Sequence, residues 1–298
     1  MLEQPFPIHP ETIPGIISLT VTNLKRSLDF YGGVLGLEVH EDQGTAATLG
    51  VSTDDGSMVE EIIHLVENPQ AELYPHHTGL YHFAILVPDR RELARLLSRL
   101  GGANWEPEGY ADHLVSESIY LRDPDGIGIE VYRDLPREKW SYRNDQIQMA
   151  TLPLDVDALL EEIRLDTRDD MRLSAETRLG HVHLKVASIP DSEAFYVGKM
   201  GFDLMNRYGS GAEFVSAGGY HHHIGFNTWE SASAPPPPAE AIGLRFFSLV
   251  FPDDPTLKRR VEILREAGVP VEVYEQGYGV LDPSRNPILL TCEPTYKI

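Results

Sequence analysis

The chain has 298 residues, 42% of them hydrophobic, which is length enough for about two domains and apolar content enough to fill their cores. A net charge of -21, spread along the sequence without a Lys/Arg-rich block, argues against nucleic acid or an anionic membrane as a partner. The single cysteine, Cys292, excludes an internal disulfide framework and a cysteine-rich zinc site. With no run of about 18 apolar residues and no basic-then-apolar leader in "MLEQPFPIHPETIPG", the chain reads as a soluble cytoplasmic protein.

The first predicted elements lie in "GIISLTVTNLKRSLDFYGGVLGLEV" from Gly15: an alternating strand, a turn, a short amphipathic helix carrying Phe30 and Tyr31, then glycine and a new strand. The same grammar returns in "YHFAILVPDRRELARLLSRLGG" from Tyr81, and that stretch closes with "LRDPDGIGIEVYRD". A long connector follows, with one helix expected around residues 155 to 163. A third copy, "GHVHLKVASIPDSEAFYVGKMGFDL" from Gly180, puts Phe195 and Tyr196 at the offset of Phe30 and Tyr31. Next comes "AGGYHHHIGFN", three consecutive histidines within an apparent strand, and then "SASAPPPPAEA", expected to be an exposed polyproline-like spacer. The fourth copy opens at Leu244 with "LRFFSLVFPDDPTLKRRVEILREAGV" and closes with "VLDPSRNPILLTCEP".

The fold class is therefore α+β, built from four βαβββ modules at residues 14–70, 78–134, 179–230 and 242–293. The expected domain layout is an N-terminal half (10–137), a connector (138–176) and a C-terminal half (177–298). One such module is too small to close its own sheet, so modules should pair into two open, cup-like mixed β-sheets lined by inward-facing strand residues.

Aligning the first strands on Val21, Val87, Val186 and Phe251 makes Ile16, His82, His181 and Phe246 equivalent. The closing strand of unit two offers Glu130 where that of unit four offers Leu289. An isolated inward histidine is usually a satisfied core residue. Here two histidines and a carboxylate fall at equivalent or opposed positions of a repeat, the donor set that suits non-haem Fe(II) with open positions for water, substrate and dioxygen. His183, on the same strand face as His181, is the competing ligand.

On these residues the chain resembles the vicinal-oxygen-chelate superfamily, whose fold is shared by glyoxalases, bleomycin-resistance proteins and extradiol dioxygenases. Within it the chain is similar to the type I extradiol ring-cleaving dioxygenases of the catechol 2,3-dioxygenase kind. "HLVSESIYLRDPDGIGIE" carries each element of their signature, from His113 through Tyr120 to Glu130, with Ala111 a minor departure. "HHHIGF" is similar to their paired-histidine segment and puts His222 at the acid/base position. Familiar members take their ligands from units three and four, whereas here the signature lies in unit two. Units two and three are therefore expected to form the active cup, and units one and four a metal-free one.

The resemblance implies Fe(II), with Mn(II) as the alternative ion, held by His82, His181 and Glu130. It also implies a catechol-type substrate with dioxygen, a hydroxymuconic semialdehyde-type product, a role in aromatic catabolism and a homo-oligomer. His222 would shuttle protons, while Tyr120 and His113 would hydrogen-bond the substrate oxygens. The alternatives are a glyoxalase-type metal-dependent isomerase, which would use two carboxylates, and a hydroquinone-cleaving dioxygenase. Strand alternation would put His221 and His223 on one face and His222 on the other, with His223, opposite Glu130, as a fourth-ligand candidate.

Overall fold

The computed structural model describes residues 6–144, 146–166 and 172–293. The start of the N-terminal segment (1–5), connector residues 145 and 167–171, and the end of the C-terminal half (294–298) lie outside the described residues.

All four units have the expected order. Unit one is β1 (Ile13–Val21), α1 (Leu24–Phe30), β2 (Glu38–Asp42), β3 (Ala46–Ser52) and β4 (Met58–Glu67). Unit two is β5 (Gly79–Leu86), α2 (Arg90–Gly102), β6 (Gly109–Asp112), β7 (Ser116–Arg122) and β8 (Gly128–Asp134). The connector contributes the short strands β9 (Tyr142–Arg143) and β10 (Gln146–Ile147) and the helix α3 (Val156–Glu161). Unit three is β11 (Arg178–Lys185), α4 (Ile189–Glu193), β12 (Asp203–Tyr208), β13 (Ala212–Ser216) and β14 (Ile224–Asn227). Unit four is β15 (Gly243–Val250), α5 (Asp254–Glu266), β16 (Glu272–Tyr274), β17 (Gly277–Leu281) and β18 (Pro287–Thr291).

Local chemistry starts each helix in the same way. The side chains of Asn23, Asp89, Ser188 and Asp253 accept a hydrogen bond from a backbone N–H in the first turn of α1, α2, α4 and α5, which satisfies a donor the helix cannot. Asp155 does the same for α3, which ends sooner than expected.

The repeated Phe-Tyr pair has a structural purpose that its spacing did not reveal. In both odd-numbered units the helix widens into a π-helical turn, over Tyr31–Leu35 and Ala194–Lys199. The buried tyrosine then donates its hydroxyl to the first aspartate of the next unit's closing turn: Tyr31 to Asp123 and Tyr196 to Asp282, each at 3.0 Å. Burial raises the pKa of both carboxyls, that of Asp123 to about 6. These bonds fasten unit one to unit two and unit three to unit four.

The sheets pair differently. One has the order β16-β17-β18-β15-β1-β4-β3-β2 and the other β12-β13-β14-β11-β5-β8-β7-β6, eight strands each. Units two and three thus share one sheet and units one and four the other, as expected. The centre of each is an antiparallel pair of first strands, β5 with β11 and β1 with β15.

Alternation then sorts the side chains. Phe83, Ile85, Val182, Leu184, Ile129 and Val131 enter one continuous core that also holds Ile17, Leu19, Phe247 and Leu249 of the other sheet. Burying each such side chain contributes roughly 1.5–3 kcal/mol. The intervening residues of the same strands, His82, Ala84, His181, His183 and Glu130, must point to the opposite face. Apolar packing on one side therefore fixes every candidate ligand on the other.

The proline-rich loop is exposed, as expected, and is tied down at Thr78 N–H to Pro235 O (3.1 Å) and Ile242 N–H to Glu72 O (3.0 Å). Among the described residues no helix is long and apolar enough to cross a membrane.

The histidine run is not in a strand. Gly218 and Gly219 both take positive φ, 62° and 69°, and turn the chain back. Ser216 Oγ closes that turn by donating to Tyr220 O at 2.6 Å. Regular pairing resumes only at Ile224, so the expected alternation of His221, His222 and His223 does not apply.

Candidate active site

One row of side chains crosses the second sheet. Tyr120 on β7 pairs with Glu130 on β8, Glu130 with Ala84 on β5, and Ala84 with His181 on β11. Ala84 is the small member of this row. Its methyl group leaves a gap between Glu130 and His181, and His82, two residues earlier on the same face, closes the gap from beside it. Gly128 lets β8 lie close enough for this: a Cβ there would sit 2.4 Å from Tyr81 O and 3.2 Å from His82 Cβ.

His82 Nε2 and His181 Nε2 each lie 3.1 Å from Glu130 Oε2. The three residues are buried, and their ligand atoms fall within 4.8 Å of one another, the one such His/Cys/Asp/Glu group among the described residues. His82 Nε2 meets that carboxylate oxygen outside hydrogen-bonding geometry and has no other protein partner, which is costly unless something else binds it. Ser118 Oγ donates to Glu130 Oε1 at 2.6 Å, so the carboxylate presents only Oε2 to the histidines. Burial lowers the pKa of His181 to about 4. Burial opposes ionisation of Glu130, yet the two neighbouring imidazoles hold its pKa well below the usual carboxylate range. A neutral His181 and an ionised Glu130 are the protonation states in which these two groups can bind a divalent ion.

Ser118 was not singled out from the sequence, although its place two residues before Tyr120 on one strand face was a usable signal. Ser118→Ala is expected to weaken metal binding about 10- to 100-fold, as loss of a hydrogen bond behind a ligand typically does. Titration with a metallochromic competitor would measure it.

Around this group is a cavity of about 620 Å³, lined among others by Tyr81, His113, Tyr120, Phe214, His222 and Trp229. His113 Nδ1 donates to Ala150 O at 2.7 Å, so its Nε2 is the acceptor for the Tyr120 hydroxyl, also at 2.7 Å. Burial, followed by the charge of Glu130, raises the Tyr120 pKa well above its ordinary value and keeps it a phenol. Both residues named from the sequence line the cavity, but the connector's part in placing them was not foreseen. Met149, Ala150 and Thr151 form part of the cavity wall, and Trp140 and Ile147 pack with Val115, Met205 and Tyr220 in a small core of their own.

The remaining histidines separate clearly. His183 stands directly opposite His82 in the sheet, but its Nε2 accepts from Asn227 Nδ2 at 3.0 Å and it is outside the three-residue group. His222 lines the cavity, its ring centroid 4.1 Å from that of His181. Burial, then the neighbouring His181 and His221, lowers its pKa well below the ordinary value.

His223 does not lie opposite Glu130. Its Nδ1 accepts from Ala217 N–H at 3.2 Å, its ring stacks on Tyr220, and it lines a separate cavity of about 120 Å³. Burial lowers its pKa from 6.5 to about 3. Below pH 6.5 the unfolded imidazole binds a proton that the folded one refuses until about pH 3. The contribution of His223 to stability is thus complete above pH 6.5 and is lost as pH falls through that window. Its share of the slope is up to about 1.4 kcal/mol per pH unit. Thermal denaturation of the wild type and His223→Asn between pH 7 and 4 should show a shallower acid decline in the variant.

A family model described as the Glyoxalase/Bleomycin resistance protein/Dioxygenase superfamily matches residues 13–131 and 178–288. A Bacillus subtilis (strain 168) protein named catechol-2,3-dioxygenase is 42% identical over 280 residues, 93% of this chain and 95% of that protein. A lactoylglutathione lyase of Neisseria meningitidis is 33% identical over 118 residues, 38% of this chain and 83% of the lyase. A crystal structure of another Bacillus subtilis protein superimposes with a TM-score of 0.64 at 14% identity, covering 96% of this chain and 86% of that one; that likeness concerns the fold alone.

Proposed function

The chain belongs to the Glyoxalase/Bleomycin resistance protein/Dioxygenase superfamily, and from that premise we propose that it is an extradiol ring-cleaving dioxygenase acting on a catechol-type aromatic. The observation that carries the proposal is the convergence of His82, His181 and Glu130 on one cavity that also holds His222 and the Tyr120–His113 pair. The 42% identity to a catechol-2,3-dioxygenase over nearly the whole chain supports it.

In this reading His82 Nε2, His181 Nε2 and Glu130 Oε2 would hold Fe(II). The ion supplies Lewis acidity toward the two catechol oxygens and the redox chemistry that dioxygen requires. The protein's own groups do the rest. Tyr120 has committed its proton to His113, so it meets a substrate hydroxyl as an acceptor, and His113 is fixed in turn by Ala150 O. His222 takes a catechol proton and returns one later in the cycle, the work of an imidazole general acid/base; burial favours its neutral, proton-accepting form at rest. The cavity of about 620 Å³ has room beside a single catechol ring, and Tyr81, Phe214 and Trp229 in its wall suit an apolar ring substituent.

A glyoxalase-type isomerase would call for a second carboxylate. Glu108 also lines the cavity, but it is paired with Arg122 at 2.7 Å. Iron-loaded enzyme is expected to consume dioxygen with catechols, faster with an apolar ring substituent, and to form a yellow semialdehyde-type product. A colourless product from cleavage between the hydroxyls would refute extradiol cleavage. Turnover of a hydroquinone alone, or isomerisation of a glutathione hemithioacetal, would replace the proposed substrate class.

A further inference from the structure

Behind His222 runs a hydrogen-bonded chain that leads out of the cavity. His221 Nδ1 and His222 Nδ1 are 2.8 Å apart, and His221 Nε2 lies 2.9 Å from Asp134 Oδ1. Tyr220 donates its hydroxyl to the same carboxylate oxygen at 3.0 Å. Since that proton is committed, Tyr132, 2.8 Å away, donates to Tyr220 in turn. His221 is fully buried and is packed by the rings of Tyr220 (4.0 Å between centroids), Trp140 (5.5 Å) and Tyr132 (5.8 Å). Asp134 ends β8 and keeps 28% of its side chain exposed, so solvent meets the chain at that end.

The order of donors follows from the chemistry of the groups. A carboxylate oxygen can only accept, so the proton of His221 sits on Nε2. With His221 neutral its other nitrogen is an acceptor, and His222 Nδ1 is then the donor. That leaves His222 Nε2 without a proton. We infer that His221 and Asp134 are positioning residues that lock His222 in the Nδ1–H tautomer and so make its Nε2 the base. The inference rests on the proposed role of His222 and adds two residues to it. When Nε2 takes a proton, the resulting cation faces His221, and through it the negative charge of Asp134. The same logic governs other catalytic imidazoles backed by a carboxylate, where a change that inverts the tautomer lowers kcat by up to about 10⁴-fold.

Asp134→Asn tests the arrangement directly, because an amide can donate where a carboxylate cannot. With the substituted amide donating to His221 Nε2, His221 would donate from Nδ1 and His222 would carry its proton on Nε2, where no base remains. The expected result in iron-loaded enzyme is a fall in kcat of roughly 10²- to 10⁴-fold, with KM within about threefold and iron content unchanged. In ¹⁵N-labelled full-length protein, with His222 assigned by comparison with His222→Gln, the wild type should show a pyridine-type Nε2 and a pyrrole-type Nδ1. Asp134→Asn should exchange the two. The wild-type spectrum alone decides the tautomer if the variant does not fold: a pyrrole-type Nε2 in His222 overturns the inference. Turnover lost in His222→Phe but kept in an Asp134→Asn protein whose His222 shows the ¹⁵N exchange also overturns it and leaves the role of His222 standing. Full turnover in both variants, with the ¹⁵N exchange still observed, instead refutes His222 as the base.

Discussion

Glu130→Ala is expected to abolish metal retention and, with it, dioxygen consumption, while the protein remains folded. The carboxylate is the one anionic donor of the buried group, and its Oε2 faces both histidines at 3.1 Å. Without it a divalent ion would meet two imidazoles and no anionic donor in a buried site. Loss of a supporting hydrogen bond typically costs about 10- to 100-fold in metal affinity, and loss of the ligand itself must cost more. The fold should survive because Glu130 lies on the face opposite the continuous apolar core, between Ile129 and Val131, which enter it. Alanine leaves Ser118 Oγ unsatisfied, a cost of about 1–3 kcal/mol. Glu130→Gln keeps an acceptor for Ser118 and should melt closer to wild type while still losing the ion. Elemental analysis of anaerobically prepared protein, paired with thermal denaturation of the metal-free forms, checks both halves. Iron retained by either variant at wild-type stoichiometry would place the ion elsewhere.

The sheet pairing was legible because strand residues record their surroundings at every second position. Phe83 and Ile85 need a core while His82 needs something else, and the same contrast recurs at Val182 and His181. In the other cup, the place of Glu130 on the closing strand belongs to His64 of β4, which pairs with Ser18 and bonds its Oγ at 2.9 Å. Around it Ile16 and Phe246 replace the two histidines, so among the described residues that cup offers no comparable donor set. What was not legible depended on backbone geometry that periodicity does not encode. Two glycines of positive φ turn the chain ahead of Tyr220, and a strand reading carried across them misplaced His223. The roles of Tyr31 and Tyr196 required knowing that each reaches the next unit's aspartate. Likewise, nothing in the connector's composition announced that Ala150 would hold His113, or that Trp140 would cover His221.

The loop geometry makes the two cavity-side histidines unequal in a way the enzyme should report. His222→Phe is expected to retain iron and to bind catechol with near-normal affinity, yet to lose roughly 10²- to 10⁴-fold in turnover, the range for a general acid/base. Phenylalanine suits the test better than alanine, because His222 packs with a centroid separation of 4.1 Å on His181 and 4.9 Å on Phe214. A smaller residue would open a void beside a ligand and confound the loss of a base with a displaced ion. His223→Phe should lower stability, since Ala217 N–H loses its acceptor at a cost of about 1–3 kcal/mol. It should leave kcat nearly unchanged, because His223 opens on the other, smaller cavity. Steady-state kinetics on iron-loaded proteins of measured metal content separates the cases. Normal turnover in His222→Phe together with a large loss in His223→Phe would mean that the histidine run meets the substrate in a different order from the one its hydrogen bonds impose.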